Sequence, residues 1–339
     1  MNGTGVRVRP ATAADAAAHD AGATPWAESG VLADRWRTEG NRRSLVAVEG
    51  DGGHEVLIGH CRGINNVFHP DSRVCVLEVR PDRRRRGIGR ALLEAQRAVS
   101  DVPLHLKVGS GDAALRGLAL AAGGTAIQAM PPWRRVVGPE LRAWARERTG
   151  AVRAQMITSA DRTAVAALEA DHYIAQHATW SPAAGWDTLL EEMAEGHQAD
   201  SPSAYDPRRS VVVRREGVVT AAALVRPEEN HHGQRGCEVT LLARPYDGAH
   251  ARADKEACLA AVVERSADRD VLMIDSHLTE RVESAMMSEV PGLDDDSGWM
   301  AIIAVTPTPG RLRPGAEPIG LDPRLLPADA RWIAAHCPS

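Results

Sequence analysis

Residues 74–93 read VCVLEVRPDRRRRGIGRALL, and this stretch decides the fold. Apolar and β-branched residues dominate 74–79, as in a buried strand, and Pro81 ends that strand because proline has no N–H for the ladder. A glycine-rich turn at 87–89 follows, and good helix formers continue from Arg90. The stretch therefore predicts a strand, a tight cationic loop and the start of a helix.

The loop has the chemistry of an anion site. Four consecutive arginines at 83–86 supply positive charge that does not titrate near neutral pH. A glycine-rich turn that leads into a helix directs several free backbone N–H groups toward one point. The loop is not a Walker loop, because no Gly-Lys-Ser/Thr follows, and Gly87-x-Gly89 lacks the third glycine of the Rossmann fingerprint. The residues predict a diphosphate-binding loop, and the alternative is an arginine-rich surface turn.

The sequence RRRGIG at 84–89 resembles the coenzyme A loop of the GNAT acyltransferase superfamily, Gln/Arg-x-x-Gly-x-Gly/Ala. The preceding Val79-x-Pro81 and the following ALL at 91–93 match that family as well. The resemblance covers nearly all of 6–137, and it implies acetyl-CoA or another acyl-CoA as bound donor, with no metal. The coenzyme-binding residues that it implies are Leu77, Val79, Arg84, Arg85, Arg86, Gly87, Ile88, Gly89, Arg90 and Asp112.

Composition excludes several classes of protein. The 339 residues are 44% hydrophobic and 25% charged, which is typical of a soluble globular chain with room for two domains. A net charge of −5 argues against a nucleic-acid partner. The five cysteines, Cys61, Cys75, Cys237, Cys258 and Cys337, show neither metal-ligand nor disulfide-framework spacing. Because the sequence contains no long apolar run and no signal segment, we expect a cytoplasmic protein without a membrane partner.

The two halves of the chain repeat one order of elements. A strand and a Thr-x-x-Asp capping box occur at 6–15 and again at 152–161. A hairpin at 44–59 returns at 210–221, and a strand that ends at a proline occurs in both halves. Sequence features that recur in the same order and at similar spacing indicate that one fold occurs twice in the chain.

Alternation of helices and strands indicates mixed α/β layers. The resemblance implies an α/β (α+β) fold with two GNAT-like domains in tandem, each a mainly antiparallel twisted sheet with helices on both faces. We predict an N-terminal domain over 1–137, a linker helix within 138–151, a C-terminal domain over 152–305 and a Pro-rich tail over 306–339, with a short helix at 325–336. The resemblance is weaker over 152–305.

The N-terminal half resembles a coenzyme-binding half that lacks catalytic groups. Acyl transfer to an amine needs a base for the amine proton and is helped by an acid for the departing thiolate. The family's base position corresponds to Arg73 or Val74, and neither accepts a proton at neutral pH. Glu78 is nearby, but a strand carboxylate paired with an arginine is the favoured interpretation. The family's tyrosine acid corresponds to Ala119, and its asparagine corresponds to Asp112.

The C-terminal half shows the opposite pattern. Glu238 lies seven residues before Pro245, where the family places its base, so it is the candidate catalytic residue; a structural ion pair is the alternative. The loop of this half reads DGAHAR at 247–252, with an aspartate in place of the arginine and two larger side chains in place of the glycines. The aspartate repels a diphosphate, and the larger side chains block close backbone approach. A phosphate could therefore be bound here only by a basic side chain, and the candidates are Arg244, His250 and Arg252.

Histidines and tryptophans at 171–186 are expected to wall the acceptor site, and core or cap residues are the alternative interpretation. They are His172, His177, Trp180 and Trp186, with Tyr173 among them. Histidines at 231 and 232 are interpreted as solvated turn residues. The consecutive acids at 294–296 are interpreted as a solvated loop and not as a metal cluster.

Together these features predict an acyl-CoA-dependent N-acyltransferase of the acetyltransferase type that acts on a small molecule. The N-terminal half binds acetyl-CoA tightly; the C-terminal half forms the acceptor site and is a candidate for a second acyl-CoA. Two alternatives stay open: catalysis in the N-terminal half only, or a non-catalytic acyl-CoA sensor or scaffold. The unequal halves are also similar to the tandem acetyltransferases of clavulanic-acid gene clusters, which implies antibiotic biosynthesis. The acceptor, the acyl chain and a homodimeric state are left open.

Overall fold

The computed structural model describes residues 5–27, 42–50, 54–131, 133–150, 152–198, 201, 204–231, 234–294, 298–307 and 330–336. The strands are β1 (Val6–Pro10), β2 (Arg42–Glu49), β3 (Val56–Asn66), β4 (His69–Val79), β5 (Leu104–Gly109), β6 (Thr125–Met130), β7 (Arg134–Val136), β8 (Ala154–Met156), β9 (Val211–Arg215), β10 (Val218–His231), β11 (Gln234–Ala243), β12 (Val271–Ile274) and β13 (Met300–Val305). The helices are α1 (Ala13–Asp20), α2 (Ile88–Ala98), α3 (Ala113–Ala121), α4 (Pro139–Arg148), α5 (Arg162–His177), α6 (Trp186–Gly196), α7 (Ala251–Arg265), α8 (Arg281–Met287) and α9 (Arg331–Ala335).

The chain forms two compact units. One comprises Met1–Ile127 with Ala301–Ser339, and the other comprises Gln128–Met300. In the first unit the strand order is β1-β2-β3-β4-β5-β13-β6, with β1 to β4 antiparallel and β5 parallel to β4. A parallel step needs a crossover, and α2 provides it. Within the described residues β4 pairs with β5 only at Arg73 and Val74, so the two strands diverge toward the carboxyl end of β4.

Helix α2 holds the core of the first unit. It buries Ile88, Leu92 and Leu93 against β3 and β4. These positions share one helix face, and each fully buried apolar side chain contributes roughly 1.5–3 kcal/mol. On the other face of the sheet, Val46 and Val48 of β2 pack against a segment that includes Trp26. Both faces of this sheet are therefore covered.

The second unit is built in the same way. Its strand order is β7-β12-β11-β10-β9-β8, with β8 to β11 antiparallel and β12 parallel to β11. One face packs on α7 and α4 through a core that includes Val239 and Leu241. The other face packs on α5 through a core that includes Val165 and Leu242. The predicted fold class, two mainly antiparallel sheets with helices on both faces, is confirmed.

The internal repeat is visible in the capping boxes. Thr12 accepts from the backbone N–H of Asp15, and Asp15 accepts in return from the N–H of Thr12. Thr158 and Asp161 form the same reciprocal pair before α5. The repeat nevertheless does not give contiguous units, because β13 lies between β5 and β6 of the first sheet. The boundaries 1–137, 138–151, 152–305 and 306–339 describe sequence repeats, and they stay a prediction.

Several predicted features fall at the margins of the described chain. Helix α4 lies where the linker helix was predicted, and α9 occupies part of the predicted helix at 325–336. Four cysteines are free and buried, whereas Cys337 and most of the tail lie outside the described residues. Within the described ranges no helix has the length and apolar character needed to cross a membrane.

Candidate functional site

The loop between β4 and α2 turns at Gly87. Its φ is +82°, a left-handed conformation that costs a residue with a side chain roughly 1–2 kcal/mol. Arg85 also has a positive φ, of 64°. A Cβ added to Gly87 would meet no atom within 4 Å, so the space in front of the helix is open. The turn therefore leaves the first residues of α2 accessible to a ligand.

This end of α2 is an electropositive cradle. No side chain caps the helix, so its first N–H groups are left without an intrahelical acceptor and the positive end of the helix dipole faces the opening. Arg85, Arg86 and Arg90 are exposed, and none of them has a partner among the described residues. Free N–H groups and unpaired guanidiniums together fit a diphosphate.

The other two arginines of the run hold the loop in place. Arg83 donates from Nε to Glu49 Oε2 at 3.0 Å and also pairs with Asp82. Arg84 donates from Nε to the carbonyl oxygen of Val79 at 3.0 Å. Their contacts fix the loop against β2 and the end of β4, and a direct role for Arg84 on the coenzyme stays a prediction.

Gly89 lets α2 approach the sheet closely. A Cβ there would lie 3.3 Å from Leu118 Cδ2, 3.6 Å from Leu77 Cδ2 and 3.7 Å from Val79 Cγ2. The structure thus brings Gly89 together with Leu77 and Val79, on the part of β4 that has diverged from β5. Ile88, one residue earlier, is buried and anchors the helix start. The gap between the strands opens beside the cradle.

The two positions predicted on α3 behave differently. Asp112 is exposed and caps the helix, since its Oδ1 accepts from the N–H of Leu115 at 2.9 Å. Ala119 is completely buried, and it has no proton to donate. A coenzyme contact of Asp112 stays a prediction.

A pair that the sequence analysis missed lies beside this loop. Glu78, on β4, has its Oε2 2.6 Å from Nε2 of His60 on β3, directly across the antiparallel ladder. The imidazole is 1% exposed, whereas the carboxylate is 23% exposed. Burial lowers the pKa of His60, although Glu78 opposes this shift, so a neutral ring donates from Nε2 to Glu78. Glu78 is therefore an accessible, oriented carboxylate.

Glu238, the predicted base, lies on β11 of the second unit. Its side chain is 35% exposed, and its Oε1 is 3.8 Å from Nη1 of Arg226 on β10. Arg226 also donates to Glu169 Oε1 at 2.8 Å, and His197 Nε2 lies 2.6 Å from Glu169 Oε2. Burial would raise the pKa of Glu169, but the bond to His197 and the charge of Arg226 hold it below its usual value. Glu238 thus forms the partly exposed end of a charged network.

A mainly apolar cavity of about 270 Å³ adjoins the row of residues that contains Glu238. Met273 stands beside Glu238 in the sheet register, and Arg134 stands beside Met273. Met273 and Arg134 line the cavity, together with Trp133. The size and apolar lining suit a small organic molecule.

The residues predicted to wall the acceptor site are mostly buried. His172, His177 and Trp180 are each less than 5% exposed. His177 Nδ1 lies 2.9 Å from the carbonyl oxygen of Tyr173. The ring centroid of His177 is 4.8 Å from that of Trp180. Trp186 is exposed and donates to an aspartate on α5. The buried positions match the core interpretation, and His231 and His232 have no described side chains.

The arginines of the second loop are engaged with carboxylates. Arg244 pairs with Asp171, and Arg252 donates to Glu256 at 2.9 Å and to Glu289 at 2.6 Å. These groups are less available to a phosphate than the free arginines of the first loop. Asp294 pairs with Arg134, while Asp295 and Asp296 lie outside the described residues. No group of metal-binding side chains occurs in the part of the chain that is described.

Comparison with known proteins agrees with this geometry. Residues 14–99 match the model of the acetyltransferase (GNAT) family. The chain is similar in structure to a tandem GNAT protein from the clavulanic acid biosynthesis pathway, with 16% identity and a TM-score of 0.54 over 90% of this chain and 100% of that one. It is also similar to a GCN5-related N-acetyltransferase from Sphaerobacter thermophilus, with 14% identity and a TM-score of 0.51 over 90% and 97%. A third similar structure is an acetyltransferase of the GNAT family from Colwellia psychrerythraea, with 10% identity and a TM-score of 0.50 over 88% of this chain and 98% of that one.

No curated protein matches the sequence significantly. The structural similarity shows a common fold, although the sequence identities are low. The family match over residues 14–99 supports a transferase activity. Residues 14–99 therefore match the acetyltransferase (GNAT) family, and the chain as a whole is similar in fold to a tandem GNAT protein.

Proposed function

We propose that the protein is an acyl-CoA-dependent N-acyltransferase that transfers an acetyl group to a small-molecule amine. The observation that carries the proposal is the cradle at the start of α2, which combines an open turn at Gly87, uncapped N–H groups and three exposed arginines that have no partner in the described part of the chain. The family match over 14–99 includes this cradle. The matching family model is that of acetyltransferases, which supports acetyl as the acyl group.

The first unit would hold the coenzyme. The diphosphate would accept from the N–H groups of 87–89 and from Arg85, Arg86 and Arg90. The pantetheine arm would enter where β4 and β5 diverge, alongside Leu77 and Val79. Since Arg244 and Arg252 are paired with carboxylates in the second unit, a second acyl-CoA there would bind more weakly than the one in the first unit.

The reaction needs one proton acceptor. The amine nitrogen attacks the thioester carbonyl, the C–N bond forms and the C–S bond breaks, and the base takes the amine proton while the released thiolate is protonated from solvent. We assign the base to Glu238, because its side chain is partly exposed and it stands beside Met273, which lines the apolar cavity. The positive charge of Arg226 lies 3.8 Å from this carboxylate.

Glu78 is a second candidate for the base, and a specific observation favours it. The carboxylate is held by His60 at 2.6 Å, it is accessible, and it belongs to the unit that carries the cradle. In this alternative His60 is a positioning residue and all of the chemistry takes place in the first unit.

Release of free thiol with a panel of primary amines tests the activity and separates the two bases. Glu238→Gln should reduce turnover by roughly 10²–10⁴ and leave acetyl-CoA affinity unchanged. Glu78→Gln, which keeps the shape and the bond to His60, serves as the matched control. A loss of turnover in Glu78→Gln alone would move the chemistry to the first unit. Absence of thiol release with every amine would contradict the transferase itself.

A further inference from the structure

The second unit contains another cavity, away from the one that Met273 and Arg134 line. It lies beyond the ends of β11 and β12 and has a volume of about 220 Å³. A water molecule occupies about 30 Å³ in the liquid, so a small organic molecule fits. Its lining includes Tyr246, Lys255, Thr279, Glu280, Val282 and Glu283.

Lys255 is the fully buried cation of this cavity. It projects from α7 with 1% of its side chain exposed. It donates to Glu283 Oε2, and its Nζ is 3.5 Å from Glu280 Oε1. Burial lowers the pKa of a lysine, but the two carboxylates outweigh it and raise the pKa of Lys255. The lysine is thus already satisfied by the protein.

The two carboxylates are not equivalent. Glu280 Oε2 accepts from Gln176 Nε2 at 2.7 Å, from Ser276 Oγ at 2.6 Å and from the N–H of His277 at 2.9 Å. Burial opposes its ionisation, but Lys255 and His172 overcome this, and the pKa of Glu280 lies below its usual value. This carboxylate is charged and well solvated by protein groups.

Glu283 is left with an unpartnered oxygen. It is 1% exposed and lines the cavity, and its Oε1 has no hydrogen-bond partner among the described residues. A buried acceptor without a donor costs roughly 1–3 kcal/mol. Burial, with Glu280 nearby, raises the pKa of Glu283 to about 8. Oε1 of Glu283 thus has no donor among the described residues, whereas Oε1 of Glu280 has Lys255 Nζ at 3.5 Å and His172 Nε2 at 3.4 Å.

We propose that this cavity binds a small organic cation, a primary ammonium ion with a short alkyl chain, which donates to Oε1 of Glu283. Tyr246 also lines the cavity, and its ring centroid lies 5.7 Å from Lys255 Nζ. An anion is disfavoured, because three carboxyl groups line the cavity and only two cations do. The carboxyl groups belong to Asp247, Glu280 and Glu283, and the cations are Lys255 and Arg281. The proposal does not depend on acyl transfer and is tested without coenzyme.

Binding of a cation is expected to release a proton. The titratable and charged groups around the site are Lys255 on α7, His172 on α5, Tyr246 and Asp247 after β11, His277 and Glu280 before α8, and Arg281 and Glu283 on α8. Burial lowers the pKa of His172, so the ring is neutral at pH 7. Glu283 accepts fully from an ammonium ion only when it is ionised, so affinity should rise with pH up to about 8.

The experiment titrates n-propylammonium chloride into the full chain at pH 8.5, with binding followed by ligand-observed NMR. n-Propanol, of the same shape without the charge, should bind at least tenfold more weakly. Glu283→Gln should weaken propylammonium binding by roughly 10- to 100-fold, the usual effect of losing a charged acceptor. Glu195→Gln, an exposed carboxylate of the same unit, is the matched control and should change nothing. Equal affinity for the alcohol, or an unaffected Glu283→Gln protein, would overturn the proposal.

Two further variants separate loss of binding from loss of folding. Arg281 is an exposed cation at the rim, so Arg281→Gln should tighten propylammonium binding by about two- to fivefold, a gain that misfolding cannot produce. Val282→Phe should fill the cavity and abolish binding while Glu283 stays in place. Unchanged or weaker binding in Arg281→Gln, or tighter binding of propionate than of propylammonium, would contradict a cation site.

Discussion

Gly87→Asp tests the coenzyme cradle most sharply, because its two effects have separate magnitudes. The turn holds φ at +82°, so any side chain costs roughly 1–2 kcal/mol of folding stability. The new Cβ meets no protein atom within 4 Å, so no steric cost is added to the free protein. A carboxylate about 4 Å from a phosphate charge is repelled by about 4 kcal/mol at a surface dielectric of about 20. The affinity for acetyl-CoA should therefore fall about a thousandfold.

Calorimetric titration of stripped protein with acetyl-CoA measures this loss, and urea denaturation measures the stability. Gly217→Asp is the matched control, since Gly217 is exposed, has a φ of +81° and also has no atom within 4 Å of an added Cβ. Both variants should lose similar stability, but only Gly87→Asp should lose the coenzyme. Equal coenzyme affinity in the two variants would refute the placement of the diphosphate.

Three further predictions concern stability. Lys255→Met leaves two buried carboxylates without their shared cation, so the free energy of unfolding measured in urea should fall by about 3–5 kcal/mol. Burial, with a charge from His69, lowers the pKa of His105 to about 4; the unfolded chain therefore binds more protons below pH 6.5, and stability should fall as the pH drops from 6.5 to 4. His105→Gln should flatten that acid slope in denaturation curves. Thr12→Ala removes half of a capping box and should cost about 1 kcal/mol, with faster amide exchange in α1.

Local rules predicted the elements around the cradle because the residues there have one function each. Pro81 ends a strand, Gly87 takes a left-handed turn and Thr12 caps a helix, whatever the rest of the chain does. The repeat of capping boxes and hairpins then indicated two similar sheets. These are short-range effects, and the sequence expresses them directly.

Pairings between distant strands were not predictable in the same way. The ladder between β3 and β4 shifts register at Asn65 and Asn66, so counting back from the hairpin turn does not place His60 opposite Glu78. The insertion of β13 between β5 and β6 likewise pairs strands that are far apart in the sequence, and no local pattern predicts it. Lys255 stands in an alanine-rich helix and looks like a surface residue until α8 brings two glutamates to it.

Native mass spectrometry of the purified chain, with and without added acetyl-CoA, is the most direct test of coenzyme binding in the first unit. One coenzyme should bind tightly per chain. Gly87→Asp should abolish that binding, whereas Arg252→Gln in the second loop should keep it. No coenzyme at all, or an unchanged number of coenzymes in Gly87→Asp, would contradict the assignment of the cradle at the start of α2.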